Sequence, residues 1–499
     1  MEAVGNALAR VREVADRKGV EVLQSSEINR SDREALVRQG WLTPIIRGWY
    51  LFLPPGVMEG DSAAWYAHLW DFLALYLTER FGSDYCLSAE SSIELHLEST
   101  ITPPQVTVIT SKGGGGCQAL PYNTSVFVYA DPPNLPHERV RLRGVQAMPL
   151  ALTLCKLPPL FFHQQPTEAA LALRLVRDPA DLVRMITTHG FTRAAGRLVG
   201  AYRRLNPPFA QVLETSLHSA GIRFQPTDPF EAESLFVPRS RSPVAARVES
   251  LWKRLRSAVL QQFPEPPTPI TPEEYLLLLE QSYLNDAYNS LSIEGYRVDL
   301  DLIARVRNHE WDPEHHPEDA HERNALAARG YYEAFRAVEA TVREALTGKA
   351  IHHHFAQRIQ GWYQALWNPF IQAEIMKPAD LAGYRSFPVY IRGSRHTPPA
   401  PESLIDAMES LEGCLAEEES PAVRAVLGHY FLVYIHPYMD GNGRMARFVM
   451  NAMLASGGYP WIIIRTTRRQ QYFRTLEQAD VEQNIGPFTH FLLEEMRAS

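Results

Sequence analysis

Twelve residues, His436 to Arg447 (HPYMDGNGRMAR), gather the side-chain types that phosphate chemistry needs. A histidine has a pKa suited to taking a proton at neutral pH. A lone carboxylate, Asp440, suits Mg²⁺, which is commonly held by a carboxylate with waters and phosphate oxygens completing the octahedron. Gly441 and Gly443 flank Asn442 and call for a loop, because glycine permits positive φ and close backbone approach. From Gly443 onward GRMARFVMNAMLAS reads as a helix. A glycine-rich turn therefore feeds a helix N-terminus, where unpaired N–H groups and the helix dipole favour an anion. Arg444 and Arg447 are three apart and share a face beside that spot. The arginine fork matches phosphate oxygens. Singly, these features read as a helix cap, a turn and a solvated face. In one register they point to phosphoryl or nucleotidyl transfer, with a base, a metal ligand, a nest and arginines that absorb leaving-group charge.

The elements that position these groups belong to a long chain. Its 499 residues exceed one ordinary core, so two or three domains are expected. Hydrophobic residues at 45% and charged residues at 21% are those of a globular protein. A net charge of -8 argues against a general nucleic-acid coat but leaves room for a local binding face. Cys86, Cys117, Cys155 and Cys414 are scattered without a CxxC pair, which suits a reducing compartment better than a disulfide framework or zinc ribbon. The first nineteen residues are charged throughout and do not read as a signal peptide. No apolar run approaches the roughly 18 residues of a membrane span. A cytoplasmic protein without membrane contact is expected.

The fold expected is multidomain α+β. Residues 1–60 read as two helices and a short hairpin, a winged-helix-like domain. Residues 61–235 read as a mixed α/β region with strands in PQVTVITSK and TSVFVYA. KGGGGC between those strands lacks a Lys-Ser/Thr ending and is read as a hairpin loop rather than a phosphate loop. Proline-rich stretches at 226–245 and 263–273 read as linker and connector, and the main boundary is expected near 235. Residues 236–499 read as mainly helical, with Thr271, Pro272 and Glu274 forming a capping box that opens one helix. GYRSFPVYIRGSRHTPPAP, from Gly383 to Pro401, reads as a hairpin. Consecutive histidines at His352 to His354 are placed on a helix, where they point apart and make no metal site. His315 and His316 read as solvated loop residues, and Glu417 to Glu419 as a solvated helix end.

RQGWLTPIIRGWYLF resembles the N-terminal domain of AbiEi-type antitoxins, and SAESSIELHLEST resembles the region that follows it there. Residues 1–60 carry eight basic and eight acidic side chains. That balance favours a protein-docking or structural role over DNA contact, with DNA retained as a candidate partner to be tested by salt dependence.

HPYMDGNGRMAR resembles the signature of Fic-domain proteins, departing only in Tyr438 where phenylalanine is usual, and the resemblance extends over roughly residues 240–499. It implies a helical core with the 383–401 hairpin as a flap. By the same resemblance His436 is the base that deprotonates a target hydroxyl, and Asp440 binds Mg²⁺. Gly441, Asn442 and Gly443 form the anion hole with Arg444 beside the phosphates, and Arg447 contacts the terminal phosphate of ATP. Val389, Tyr390, Ile391 and Arg392 dock the target by backbone pairing. RQQYFRTLEQAD resembles the segment lining the adenosine pocket, which nominates Tyr472 and Phe473. The Gly-Asn-Gly turn is similar to that of AMP-transferring members rather than the kinase-like Doc branch.

SLSIEG, Ser290 to Gly295, closes the helix of residues 272–295 and resembles the family's inhibitory motif. The resemblance pairs Glu294 with Arg447, so that a carboxylate competes with phosphate for one arginine. The function expected is an autoinhibited protein adenylyltransferase. It moves AMP from ATP-Mg²⁺ to a Ser, Thr or Tyr hydroxyl of a protein, with the chain itself as one candidate target, a homodimer as one candidate assembly, and AMP removal as a second activity some relatives have. The alternative is a nucleotide-sensing regulator that binds DNA or a partner through residues 1–60 without transfer activity. A third reading transfers another phosphate-linked group.

Overall fold

The computed structural model describes residues 2–54, 62–113, 116–230, 240, 242–268, 270–308, 310 and 323–498. Part of the KGGGGC loop, the expected boundary near 235, and His315 and His316 lie outside these residues. The chain is multidomain α+β and forms two compact units. One comprises Met1–Val237 with Val389–Thr397, and the other Pro238–Pro388 with Pro398–Ser499.

The first unit opens with helix Glu2–Lys18, β1 (Val22–Gln24), helix Arg30–Arg38, β2 (Leu42–Ile46) and β3 (Trp49–Phe52). The strands form an antiparallel sheet in the order β1-β3-β2. Ala7, Val11 and Ala15 on one face of the first helix pack with Leu23, Leu36, Leu42 and Phe52. Strand β1 is only three residues long, too short to announce itself by periodicity. Beyond it, β4 (Tyr85–Leu87), β5 (Gln105–Thr110), β6 (Gly116–Leu120) and β7 (Thr124–Ala130) form a mixed sheet in the order β4-β5-β7-β6. Here the hairpin reading of KGGGGC is corrected. Strands β5 and β6 do not pair. Strand β7 lies between them, parallel to β5 and antiparallel to β6, and the tight hairpin is the β6–β7 one. The buried face of β7 (Val126, Val128) is as apolar as that of β5 (Val106, Val108), so a central place for β7 buries both.

The second unit is helical. Helix Pro272–Ile293 starts as its capping box predicts. Thr271 Oγ1 accepts the Glu274 N–H at 3.2 Å, and Glu274 Oε2 accepts the Thr271 N–H at 2.9 Å. Such a cap contributes about 1 kcal/mol. Helix Pro421–Ile435 is buried on nearly all sides, as its unbroken apolar sequence requires, with Val426, Leu427, Phe431 and Leu432 fully covered. Each such side chain contributes about 1.5–3 kcal/mol. It packs against helix Asn442–Ala455, and the loop between them carries the site.

Two further expectations change. His352 and His353 lie in a turn and His354 is the left-handed N-cap of helix Phe355–Gln372, so these histidines precede that helix instead of lying on it. The segment 383–401 turns at Arg392–Gly393, where the Ser394 N–H donates to Ile391 C=O at 3.1 Å, but no strand forms in it. Its residues 389–397 group with the first unit, where Thr397 N–H donates to Thr100 C=O at 2.7 Å and His396 bridges Ile101. The alternation that reads as a hairpin is met by a neighbouring extended segment. Among the described residues no helix is long and apolar enough to cross a membrane.

Candidate active site

His436 terminates helix Pro421–Ile435 in a left-handed conformation (φ 51°), and the following proline keeps the helix from continuing. Its Nδ1 lies 3.2 Å from Val433 C=O. A carbonyl only accepts, so Nδ1 carries the proton and the Nε2 lone pair is left to act as a base. Burial, with Arg385 adding to it, pushes the imidazole pKa down to about 4, against the opposing pull of Val433 C=O, Glu294 and Asp440. The ring is therefore neutral at pH 7. Arg385, itself 4% exposed, braces this corner. Its Nε donates to His436 C=O at 2.8 Å and its N–H to Pro437 C=O at 2.9 Å.

The loop is shaped by Asn442. Its Oδ1 accepts the Tyr438 N–H at 2.9 Å and its Nδ2 donates to Tyr438 C=O at 2.8 Å. The side chain is thus committed to the loop, and what Asn442 can offer an anion is its backbone N–H. Tyr438 is buried and stacks on Tyr363 at 3.9 Å, so it anchors the loop as an aromatic ring should. Gly441 caps helix Asn442–Ala455 at φ 83°, a conformation that a side chain would strain. Asp440 stands at the mouth with half its side chain exposed, one oxygen accepting the Gly441 N–H at 2.6 Å. Among the described residues no cluster of three metal-ligating side chains exists. A single exposed carboxylate beside a phosphate nest fits Mg²⁺ that takes its remaining ligands from phosphate and water.

The two arginines are treated differently. Arg447 Nη2 donates to Glu294 Oε1 at 2.7 Å and to Ser290 C=O at 3.1 Å, and Nε donates to Ser290 Oγ at 2.9 Å. Burial works to lower the Arg447 pKa, but the Glu294 carboxylate outweighs it and the net shift is upward. Burial likewise works to raise Glu294, and Arg447 and Arg444 overcome it, so the carboxylate stays ionised. A Cβ built on Gly443 would lie 2.5 Å from Glu294 Oε1 and 3.2 Å from Arg447 Nη1. The carboxylate therefore rests on the first turn of the helix, on the spot the sequence reserves for an anion. Arg444 is fully buried, with its guanidinium 4.9 Å from the Trp367 ring and 5.2 Å from the Tyr296 ring. All three of its side-chain nitrogens lack a hydrogen-bond partner.

Asp286, Ser290 and Glu294 recur every fourth residue, so they form one polar seam along the face of helix Pro272–Ile293 that meets Arg447. Asp286 is 5% exposed and accepts the Tyr331 hydroxyl at 2.7 Å. Burial pushes its pKa up to about 6, against Tyr331, Trp461 and Arg447.

The structure thus brings His436, Asp440, Gly441, Asn442, Gly443, Arg444, Arg447, Ser290, Glu294 and Gly295 to one locality. Tyr472 is 1% exposed, its hydroxyl lies 2.9 Å from His429 Nε2, and it reaches Arg447 from the core side of the site. Phe473 is exposed beneath the Arg469 guanidinium. Val389 to Arg392 group with the first unit. Sequence reading missed Trp367, Tyr296, Arg385 and Asp286. The i, i+4, i+8 spacing of Asp286, Ser290 and Glu294 was a usable signal. Trp367 gave none, because a tryptophan in an apolar helix reads as core.

Residues 346–454 match the Fic/DOC family. The protein adenylyltransferase Fic of Nematostella vectensis is 43% identical over 119 residues, which are 23% of this chain and 27% of that protein. The protein adenylyltransferase Fic of Drosophila grimshawi is 41% identical over 119 residues, 23% of this chain and 24% of that protein. The chain spans about a quarter of the length of these curated relatives. The solved structure of Fic-1 (aa134 - 508) from C. elegans aligns at 17% identity and a TM-score of 0.37, covering 66% of this chain and 90% of that one.

Proposed function

This chain carries a Fic domain over residues 346–454, and we propose that it is an autoinhibited protein adenylyltransferase. It moves AMP from ATP to a hydroxyl of a protein. In the step proposed, His436 Nε2 takes the proton of a Ser, Thr or Tyr hydroxyl as that oxygen attacks the α-phosphorus. The bond from the α-phosphorus to the bridging oxygen breaks, and pyrophosphate leaves. Backbone N–H groups of the Gly441–Gly443 turn face the α-phosphate, and Arg444 and Arg447 take up charge on the leaving pyrophosphate. Mg²⁺, held by Asp440, neutralises phosphate charge when bound. Val389 to Arg392 are the proposed docking strip for the target. Tyr472 and Phe473 are the proposed residues on the adenosine side.

The observation that carries this reading is the Glu294 carboxylate lying on the helix N-terminus, 2.7 Å from Arg447 Nη2. A carboxylate seated there marks the spot as an anion site and competes with phosphate for it. Tyr296, two residues on, stacks on Arg444, so one segment engages both arginines. The test is AMP incorporation from labelled ATP. Glu294→Gly should raise it, and His436→Ala in that background should abolish it. No rise sinks the inhibition, and surviving transfer without His436 sinks the mechanism.

The partners under this reading are ATP and a hydroxyl-bearing protein, with self-modification and a second copy of the chain included. Residues 1–60 are proposed as a winged-helix-like docking domain, residues 61–235 as its mixed α/β companion, and residues 236–499 as the Fic region with inhibitory helix 272–295. Scattered, free cysteines support a cytoplasmic location. A salt-dependent gel shift with no transfer by any Glu294 variant would favour the regulator reading instead.

A further inference from the structure

The anion spot over Gly443 is taken by Glu294, and two residues earlier a second pair of donors, from Trp367 and Arg444, meets beside Gly441. A Cβ built on Gly441 would sit 3.4 Å from Trp367 Nε1 and 3.5 Å from Arg444 Nη2, with Leu366 Cδ2 at 3.1 Å. Both donors are buried. Trp367 is 4% exposed and the Arg444 side chain 0%. Trp367 Nε1 and all three side-chain nitrogens of Arg444 lack a hydrogen-bond partner. A buried donor left unpaired is costly, and a cationic one more so, so native structures rarely keep several together without a use for them. An indole N–H can only donate. The partner that satisfies it beside a guanidinium is an anionic oxygen. The nearby carboxylate does not serve. Asp440 Oδ1 forms an ion pair with Arg444 Nη2 at 3.7 Å, too long for a hydrogen bond, and its short contact is with the Gly441 N–H. The indole is fixed in place by Phe370 at 5.0 Å and by Arg444 over its face. Because Gly441 carries no Cβ, its backbone can lie close against both donors, and the two converge at one place.

We propose that Trp367 is a phosphate-binding residue. Its Nε1–H and Arg444 together hold one oxygen of the nucleotide's phosphate chain over Gly441. This rests on the transfer reading only in taking that phosphate to be ATP's. The residue comes from helix Phe355–Gln372, outside the 436–447 stretch, and makes the phosphate site a joint product of two helices.

The test uses the full chain carrying Glu294→Gly, with and without Trp367→Phe. Phenylalanine keeps an aromatic face for Arg444 and removes the N–H together with part of the ring, so the adenosine arm and the indole resonance report the N–H separately from lost packing. By titration calorimetry with Mg²⁺, Trp367→Phe should raise the Kd for ATP about 10-fold and leave the Kd for adenosine unchanged. Trp367→Phe and Arg444→Ala should combine less than additively. The Trp367 indole N–H resonance, assigned by its loss in the variant, should move on adding inorganic pyrophosphate and stay still on adding adenosine. Unchanged ATP affinity, an equal loss for adenosine, or an indole signal that ignores pyrophosphate each overturns the proposal. ATP binding by the parent without AMP transfer would sink the transfer reading and leave the cradle standing.

Discussion

Two clusters of arginine and carboxylate in the second unit look alike in sequence and differ in completeness. At the C-terminal end Glu495 is fully buried and accepts four N–H donors, from the Arg465 backbone, Arg465 Nε and Nη2, and Arg468 Nη1. Arg468 adds Glu494 and lies over Phe491. Both carboxylate oxygens of Glu495 are thus used, and the cluster clamps helix Gly486–Ala498 to the preceding chain. At the other site one carboxylate, Glu294, serves Arg447 and lies near Arg444, and four buried arginine nitrogens go without a partner. A closed cluster holds structure together. An open one holds binding capacity in reserve, at a cost the rest of the fold must carry.

The comparison can be broken from either side. The largest effect expected is on the open cluster. Arg444→Met in the Glu294→Gly background should cut AMP incorporation about 10²–10³-fold, while calorimetry shows an unchanged or higher melting temperature, because the unpaired buried donors are removed and an apolar chain of similar volume fills their place. A clear drop in stability would make Arg444 structural. Next comes Glu495→Ala, which strands Arg465 and Arg468. Arg465 is partly exposed, so a loss of about 2–3 kcal/mol is expected by denaturant titration, with transfer per folded molecule unchanged. Glu294→Gly frees one charge-assisted contact for phosphate, and labelled ATP should report a rise of about 10- to 100-fold.

The smallest effects concern pH. Burial raises the Asp286 pKa in the fold, so its contribution is present below the unfolded value near 3.8 and is lost as pH rises through about 6. Asp286→Asn should remove this loss, at most about 3 kcal/mol over the full range, and melting curves at pH 5 and 8 would show part of it. A pH dependence identical to the parent's would mean the carboxyl carries no such burden. His436 behaves in the opposite sense. Its pKa is lowered to about 4, so the neutral base persists as pH falls below 6.5. The acid limb of kcat/KM in Glu294→Gly should therefore lie below 6.5, and a limb at or above that value would argue against His436 as the buried neutral base.

What could be read in advance followed locality. The capping box at Thr271, the all-apolar helix at 421–435 and the histidine, carboxylate, turn and arginines of 436–447 each complete themselves within a few turns of chain. Strand partners do not. PQVTVITSK and TSVFVYA read as strands, but nothing in either says that β7 should separate β5 from β6. The segment 383–401 has hairpin alternation, yet its extended residues pair with 100–102, and no local signal could announce that. Asn442 looked like a phosphate ligand by its neighbours, and its side chain instead ties the loop to Tyr438.

The sequence by itself determined the chemistry on offer, because residue types and helix periodicity decide which groups share a face. It also determined that Glu294 follows Ser290 by one helical turn and so points the same way. Tertiary structure alone decided who meets whom. It laid Glu294 over Gly443, where only a missing Cβ leaves room. It set Trp367 and Tyr296 around Arg444, and it buried Tyr472 in the core. The physical reason is that pairing across a core depends on shape and burial summed over many distant residues, whereas a helix face depends only on counting.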